Sequence, residues 1–405
     1  MATPKLRFKE FDQKWGVDAL QDQIDFLAGY AFDSKLMSNE PQKYQLIKMS
    51  NVYQNQLDLT RNPSYWTNID SKIEKFLLKK GDIVLTLTGT VGKTDYGYNV
   101  EIDKDDKFLL NQRLVRLRAK QDLSDSKFIQ YRISTDKFFY HFFYSSKGGT
   151  GNQSNVSIED LKQLELNFPS KAEQTKIASF LSNVDEKISQ LTQKHALLSQ
   201  YKQGMMQKLF SQQLRFKADD GSEFGEWEEK ELKEVAEINP KAKKLPANFI
   251  YIDLESVEKG QLLLQKNIEL QDAPSRAQRL LAKGDVLFQM VRPYQQNNYY
   301  FNLSGEYVAS TGYAQIRTKL DSKFIYYALH EKTFLDEVMN RCTGTSYPAI
   351  NSSDLSSIEI FVPCLEEQTK IANFLSAIDQ KIEVVAQQIE QAKTWKKGLL
   401  QQMFV

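Results

Sequence analysis

"EQTKIASFLSNVDEKISQLTQKHALLSQYKQGMMQKLF" occupies residues 173–210, and "EQTKIANFLSAIDQKIEVVAQQIEQAKTWKKGLLQQMF" occupies residues 367–404. The two stretches align without a gap at an offset of 194, with 17 of 38 positions identical, so the chain carries an internal repeat. In the first copy Ile177, Leu181, Val184, Ile188, Leu191, His195, Leu198, Lys202, Met205 and Leu209 recur by steps of four and three. In the second, Ile371, Leu375, Ile378, Ile382, Val385, Ile389, Ala392, Lys396, Leu399 and Met403 do the same. A 3.5-residue period held this long predicts a coiled-coil seam on each helix. Each helix would be about 57 Å long at 1.5 Å of rise per residue.

The simplest partner for one helix is the other. Antiparallel pairing would relate the two repeats by a pseudo-twofold axis and place a globular domain at each end of a rod. Lys202 and Lys396 fall on the seam one repeat apart. A polar seam residue either fixes register at some cost in stability or snorkels its ammonium out to water.

The repeat continues upstream of the helices. "LLKKGDIVL" (77–85) matches "LLAKGDVLF" (280–288), and "DSKFI" occurs at 125–129 and again at 321–325. "GGTGNQSNVSIEDL" (148–161) resembles "TGTSYPAINSSDL" (343–355). "LRFK" stands at 6–9 and 214–217, each time ahead of a tryptophan, Trp15 or Trp227. The plan is therefore α+β: a mixed α/β domain over 1–172, a helix over 173–212, a second mixed domain over 213–366 and a second helix over 367–405.

With 41% hydrophobic and 12% aromatic residues, 405 residues suffice for ordinary globular cores. With only two cysteines, Cys342 and Cys364, a disulfide framework is not expected. No apolar run approaches the ~18 residues of a membrane span, and the N-terminal stretch lacks a signal-peptide core, which predicts a cytoplasmic protein. Net charge is +1, weak for a self-sufficient nucleic-acid binder. Residues 219–237 hold the main acidic excess, which suits solvent or protein better than phosphate.

"LTGTVGKTD" (87–95) follows an apolar strand and ends in Gly-Lys-Thr, as a nucleotide-binding loop does. A phosphate cradle needs four residues between its glycines. Gly89 and Gly92 have two between them, and the following "DYGYNVEIDKDDKFLL" reads as strand and turn rather than helix. "NPSYW" (62–66) has Ser64 where an adenine methyltransferase tetrapeptide has its second proline, and reads as an Asn-Pro turn. The three histidines and two cysteines show no metal-ligand spacing. We expect no catalytic residue, no metal site and no cofactor bound by this chain.

Polar loops rich in aromatics remain. In the second domain Arg292, Tyr294, Gln295, Gln296, Asn297 and Asn298 lie in one stretch, and Arg341, Thr345, Ser346 and Tyr347 in another. The first domain offers Thr90, Lys93, Thr94, Tyr96 and Tyr98, then Gln112 and Arg113, then Lys147, Asn152 and Gln153. Arg reads guanine through O6 and N7, and Asn or Gln reads adenine through N6 and N7. Tyr, Ser and Thr donate to phosphate. At matching places in two repeats, these residues are the candidates for a DNA-binding face.

Taken together, the paired Glu-Gln-Thr-Lys-Ile helices entered through Pro169 and Pro363, and the paired "KKGDIVLTLTGTVGKT" and "AKGDVLFQMVRPY" segments, resemble the specificity (S) subunit of type I restriction–modification systems. The resemblance covers essentially the whole chain. It implies two target-recognition domains, each reading one half of a bipartite sequence in double-stranded DNA, with the paired helices fixing the unread gap. Half-sites read from one face lie about one turn, ~34 Å, apart, which corresponds to a gap of roughly five to eight base pairs. The resemblance further implies two methyltransferase (M) subunits and restriction (R) subunits as partners, with S-adenosylmethionine, Mg and ATP held by them. On the residues alone, a stand-alone methyltransferase or NTPase and a coiled-coil adaptor that binds only protein stay open as alternatives.

Overall fold

The computed structural model describes residues 3–91, 93–144, 147–148, 153–242 and 244–405. It divides into two compact units, one built from Met1–Leu191 with Gln388–Val405 and the other from Thr192–Gln387. Each long helix gives part of its length to each unit. The helices span Lys171–Phe210 and Leu365–Met403, starting two residues earlier than the repeat itself.

In the first unit a four-stranded antiparallel sheet runs in the order Ile24–Ala28, Leu114–Ala119, Ile83–Thr86, Asn99–Glu101. In the second unit Ala236–Ile238, Tyr313–Thr318, Val286–Gln289 and Tyr299–Tyr300 repeat that order and direction. A second sheet in each unit contains one parallel pair, Tyr44–Ile47 with Phe108–Leu110 and Asn248–Ile252 with Tyr307–Ser310. A short antiparallel pair precedes each long helix: Gly16–Ala19 with Glu165–Phe168, and Glu228–Glu231 with Glu359–Val362.

The apolar run "DIVLT" is buried on both faces because a strand sends alternate residues to opposite sides. Ile83 and Leu85 enter the core shared with the long helices, whereas Val84 enters a second core under the other sheet. Val286 and Phe288 part from Leu287 in the same way. Ahead of each strand, Gly81 (φ +84°) and Gly284 (φ +94°) adopt the left-handed conformation that the turn requires. The next residue is a buried aspartate held by a two-pronged arginine: Asp82 by Arg118 at 2.6 and 2.8 Å, Asp285 by Arg317 at 2.8 and 2.7 Å.

The seam residues Ile177, Leu181, Val184 and Leu191 are buried, as are Ile371, Leu375, Ile378, Val385 and Ile389, while Ile188, Leu198 and Ile382 are half-buried. In the first unit Ile177, Leu181 and Val184 share a core with Leu399 and Met403, so the start of one helix meets the end of the other. In the second, Leu209 shares a core with Ile371, Leu375 and Ile378. The pairing is antiparallel in each unit.

The polar seam lysines do more than snorkel. Lys396 Nζ lies 2.6 Å from Asp185 in the first unit, and Lys202 Nζ lies 2.6 Å from Asp379 in the second. Each aspartate also accepts a tyrosine hydroxyl from the globular part, Tyr131 or Tyr327, at 2.7 Å. Burial and the adjacent aspartate push both hydroxyls far above the usual tyrosine range, so they donate throughout the working pH range.

The opening Glu-Gln of each helix is buried as well. Glu173 accepts Arg7 at 2.7 Å twice and Trp15 Nε1 at 3.3 Å. Glu367 accepts Arg215 at 3.1 and 2.7 Å and Trp227 Nε1 at 3.1 Å. Gln174 and Gln368 each accept the backbone N–H of the aspartate, Asp125 or Asp321, that caps the "DSKFI" helix. The short repeats scattered along the sequence thus meet at the base of each long helix.

Candidate nucleic-acid interface

Both candidate faces grow from the last residue of the strand that follows Gly-Asp. In the first unit Thr88–Thr90 continues from Ile83–Thr86 and pairs with Gln153–Asn155, which pairs with Lys147–Gly148. Asp95 braces the tip of the loop, its carboxylate accepting Thr90 N at 2.8 Å and Thr90 Oγ1 at 2.7 Å. Those bonds hold the Asp95 carboxyl below the usual carboxylate range. Lys93 and Thr94 are exposed on the loop, and Tyr98, half-buried against Tyr53, donates its hydroxyl to Thr94 O at 3.0 Å. Gln112 and Arg113 are exposed, Arg113 with a left-handed backbone (φ 70°). Asn152 lies outside the described residues, and for Lys147 and Gln153 only the backbone is described.

Tyr96 departs from expectation. It is 1% exposed and packs among Phe142 and Phe143 in the unit's core, so it is a structural residue and not a surface contact. Its ring also explains Gly89, where a Cβ would come within 2.3 Å of the Tyr96 ring. This glycine makes room for an aromatic ring, not for a phosphate.

In the second unit the loop runs from Met290 to Asn298. Arg292 (φ 54°) and Gln296 (φ 52°) flank the turn Pro293–Gln295 in left-handed conformations that cost side-chain-bearing residues of order 1–3 kcal/mol each. A second loop braces the first: Arg292 N donates to Pro348 O at 2.7 Å, and Val291 bridges Ala349. The Arg292 guanidinium sits 4.2 Å from the centre of the exposed Tyr347 ring. Tyr294, Gln295, Thr345 and Ser346 are also exposed; Gln296 and Asn297 are half-buried.

Two further candidates are structural. Asn298 is 1% exposed; its Oδ1 accepts Gln289 N at 2.8 Å and its amide faces His330 Nε2 at 3.4 Å. The asparagine is consumed inside the loop and offers nothing to a base. Arg341 donates to Asp354 O at 3.2 Å and Ser357 Oγ at 2.8 Å, tying off the short helix Ser352–Ser356. Burial pushes the His330 imidazole down to about 4, so the neutral ring donates from Nδ1 to Tyr326 O at 2.7 Å and accepts at Nε2.

Residue-by-residue reading misses several supporting polar groups: Thr86 and Gln289 at the strand ends, Asn99 on the returning strand, and the Asp185–Tyr131 and Asp379–Tyr327 partners of the seam lysines. A polar residue closing an otherwise apolar strand, "IVLT" and "VLFQ", is the signal that could find the first of these. Among the described residues no group of three or more His, Cys, Asp or Glu is placed to hold a metal ion, and no helix is long and apolar enough to cross a membrane.

A family model described as the type I restriction modification DNA specificity domain matches the chain twice, over residues 12–200 and 225–394. The type I restriction enzyme MjaVIII specificity subunit of Methanocaldococcus jannaschii is 26% identical over 346 residues, which cover 81% of this chain and 79% of that one. The putative MjaX specificity subunit of the same organism is 26% identical over 412 residues, covering 98% and 94%. In fold, the chain is similar to the crystal structure of the type I restriction–modification system S subunit from M. genitalium, with a TM-score of 0.63 at 19% identity over 100% of this chain and 99% of that one.

Proposed function

The chain belongs to the type I restriction modification DNA specificity family, and we propose that it is the DNA-reading, non-catalytic subunit of a cytoplasmic methylation and restriction complex. One observation carries this reading: the two units repeat one four-stranded sheet in the same order and present different exposed loops from the end of the corresponding strand. A duplicated frame with divergent loops suits a protein that reads two unlike half-sites of one bipartite sequence. The exposed Lys93, Thr94, Gln112 and Arg113 serve one half-site, and Arg292, Tyr294, Gln295 and Tyr347 serve the other. The two long helices set the number of unread base pairs. Two methyltransferase subunits dock on the chain and hold S-adenosylmethionine, while restriction subunits supply ATP-dependent, Mg-dependent cleavage.

Mapping methylated adenines in cells carrying this chain with its methyltransferase subunit tests the proposal. We expect one bipartite motif with a modified adenine on each strand, lost when the chain is deleted. Methylation unchanged by the deletion would overturn it and favour a protein-binding adaptor.

A further inference from the structure

The two divergent loops are closed by the same device. Thr86 and Gln289 occupy equivalent positions at the ends of Ile83–Thr86 and Val286–Gln289, the strands that follow the Gly-Asp turns. Both side chains are buried, at 1% and 2% exposure. Thr86 Oγ1 accepts the backbone N–H of Tyr98 at 3.0 Å, and its hydroxyl faces Tyr98 O at 3.3 Å. Gln289 Oε1 accepts the backbone N–H of Asn297 at 3.0 Å, and its amide donates to Val291 O at 2.8 Å and Gln295 Oε1 at 2.9 Å.

The residues they hold correspond as well. Strand pairing sets Val84 opposite Val100 and Leu287 opposite Tyr299, so Tyr98 and Asn297 stand at the same register position, one residue before the buried Asn99 and Asn298. The enclosed loops differ in length, with Tyr98 12 positions after Thr86 and Asn297 eight positions after Gln289. They share no sequence beyond this closure. A buried hydroxyl or amide whose partners all lie in one loop is costly to leave unpaired, so each loop conformation is tied to its strand end. In the second unit the same amide reaches both sides of the left-handed Arg292, through Val291 O and Gln295 Oε1.

We infer that Thr86 and Gln289 are positioning residues for half-site specificity, each latching the recognition loop of its own unit and acting on DNA only through that loop. This rests on the DNA-reading function proposed above. The latch is local, so each residue controls one half of the bipartite target and leaves the other half untouched.

The experiment uses the full chain produced with its methyltransferase subunits and reads the methylated motif genome-wide, alongside thermal unfolding of the purified chain. Gln289→Met should lower base discrimination in one half of the motif by roughly tenfold or more, the scale of one lost base-reading pair, while the other half stays intact. Thr86→Val should do the same to the opposite half, and Thr86→Ser, which keeps the hydroxyl, should restore it. Wild-type motifs in both halves for Gln289→Met and Thr86→Val would overturn the latch, as would equal loss in both halves. Should Gln289→Met fail to fold, Thr86→Val against Thr86→Ser decides alone. A wild-type chain that directs no bipartite motif would instead defeat the DNA-reading function itself.

Discussion

The bases of the two long helices and the tips of the two recognition loops stand under opposite physical constraints. At the helix bases the units match partner for partner: Arg7 and Trp15 on Glu173, Arg215 and Trp227 on Glu367, Tyr131 and Lys396 on Asp185, Tyr327 and Lys202 on Asp379. At the loop tips the described side chains do not correspond, and the closing bond does. A buried charge tolerates no substitution of its partner, whereas an exposed loop tolerates almost any sequence that its backbone can adopt. The two copies therefore match where polar groups from helix and globular part are paired with each other and differ where water is the neighbour.

The largest expected effect breaks the matching part. Glu173→Ala or Glu367→Ala removes the buried carboxylate that a half-buried arginine and an indole N–H share. The arginine keeps a backbone partner, Gln13 O or Gly225 O, so each variant should cost about 3 kcal/mol in chemical denaturation, the lower end of the range for breaking a buried pair. Near-equal losses in the two variants would establish that the clamps are energetically equivalent; a several-fold difference would show that one unit leans on other contacts.

Arg292→Ala probes the divergent part. It should weaken recognition of one half-site by about 1–3 kcal/mol and relax its base preference if the guanidinium reads guanine. Competition binding with half-site variants distinguishes this from a uniform loss over all sequences, which would make Arg292 a phosphate contact.

The lysine–aspartate pairs are smaller because both partners keep some water contact. A double-mutant cycle of Lys202→Met with Asp379→Asn should return a coupling of about 1 kcal/mol, and Lys396→Met with Asp185→Asn the same. Coupling indistinguishable from zero in both cycles would reduce these lysines to snorkelling seam residues.

The smallest effect separates the units by pH. His330 stands where the first unit has Ser134, each beneath the buried asparagine of its returning strand. Its folded value near 4 lies below the 6.5 of a free imidazole, so the unfolded chain takes up the proton first. Stability is then full above pH 6.5, falls as pH drops toward 4 and levels off below. Residual water contact at the ring limits the cost to about 1–2 kcal/mol. Unfolding followed between pH 7 and 4 should show this limb in wild type, and His330→Ser should flatten it; an unchanged slope would remove His330 from the account.

Much of this architecture is legible in the order of residues. The heptads and the offset between the two copies announce two long helices and a duplicated domain, and the broken glycine spacing at Gly89 argues against a nucleotide site. Tyr96, Asn298 and Arg341 escape such a reading for a single reason: composition marks a loop as polar and aromatic but does not say which side chains turn inward to hold it. Tyr96 fills the space above Gly89, Asn298 satisfies a strand N–H, and Arg341 ties off a helix end. In one dimension all three look like surface chemistry.

The repeat, the helices and their seam follow from the amino-acid order, because hydrophobic periodicity is a local property of the chain. Why "LRFK", the two tryptophans, "DSKFI" and Glu-Gln recur together emerges from the packed fold, where Arg7 meets Glu173 and Arg215 meets Glu367 across more than a hundred residues of chain. Packing likewise turns Lys202 and Lys396 toward aspartates, and makes Thr86 and Gln289 the closures of their loops. Those outcomes depend on which buried polar group lies within hydrogen-bond reach of which, and distance in space is not written in the order of residues.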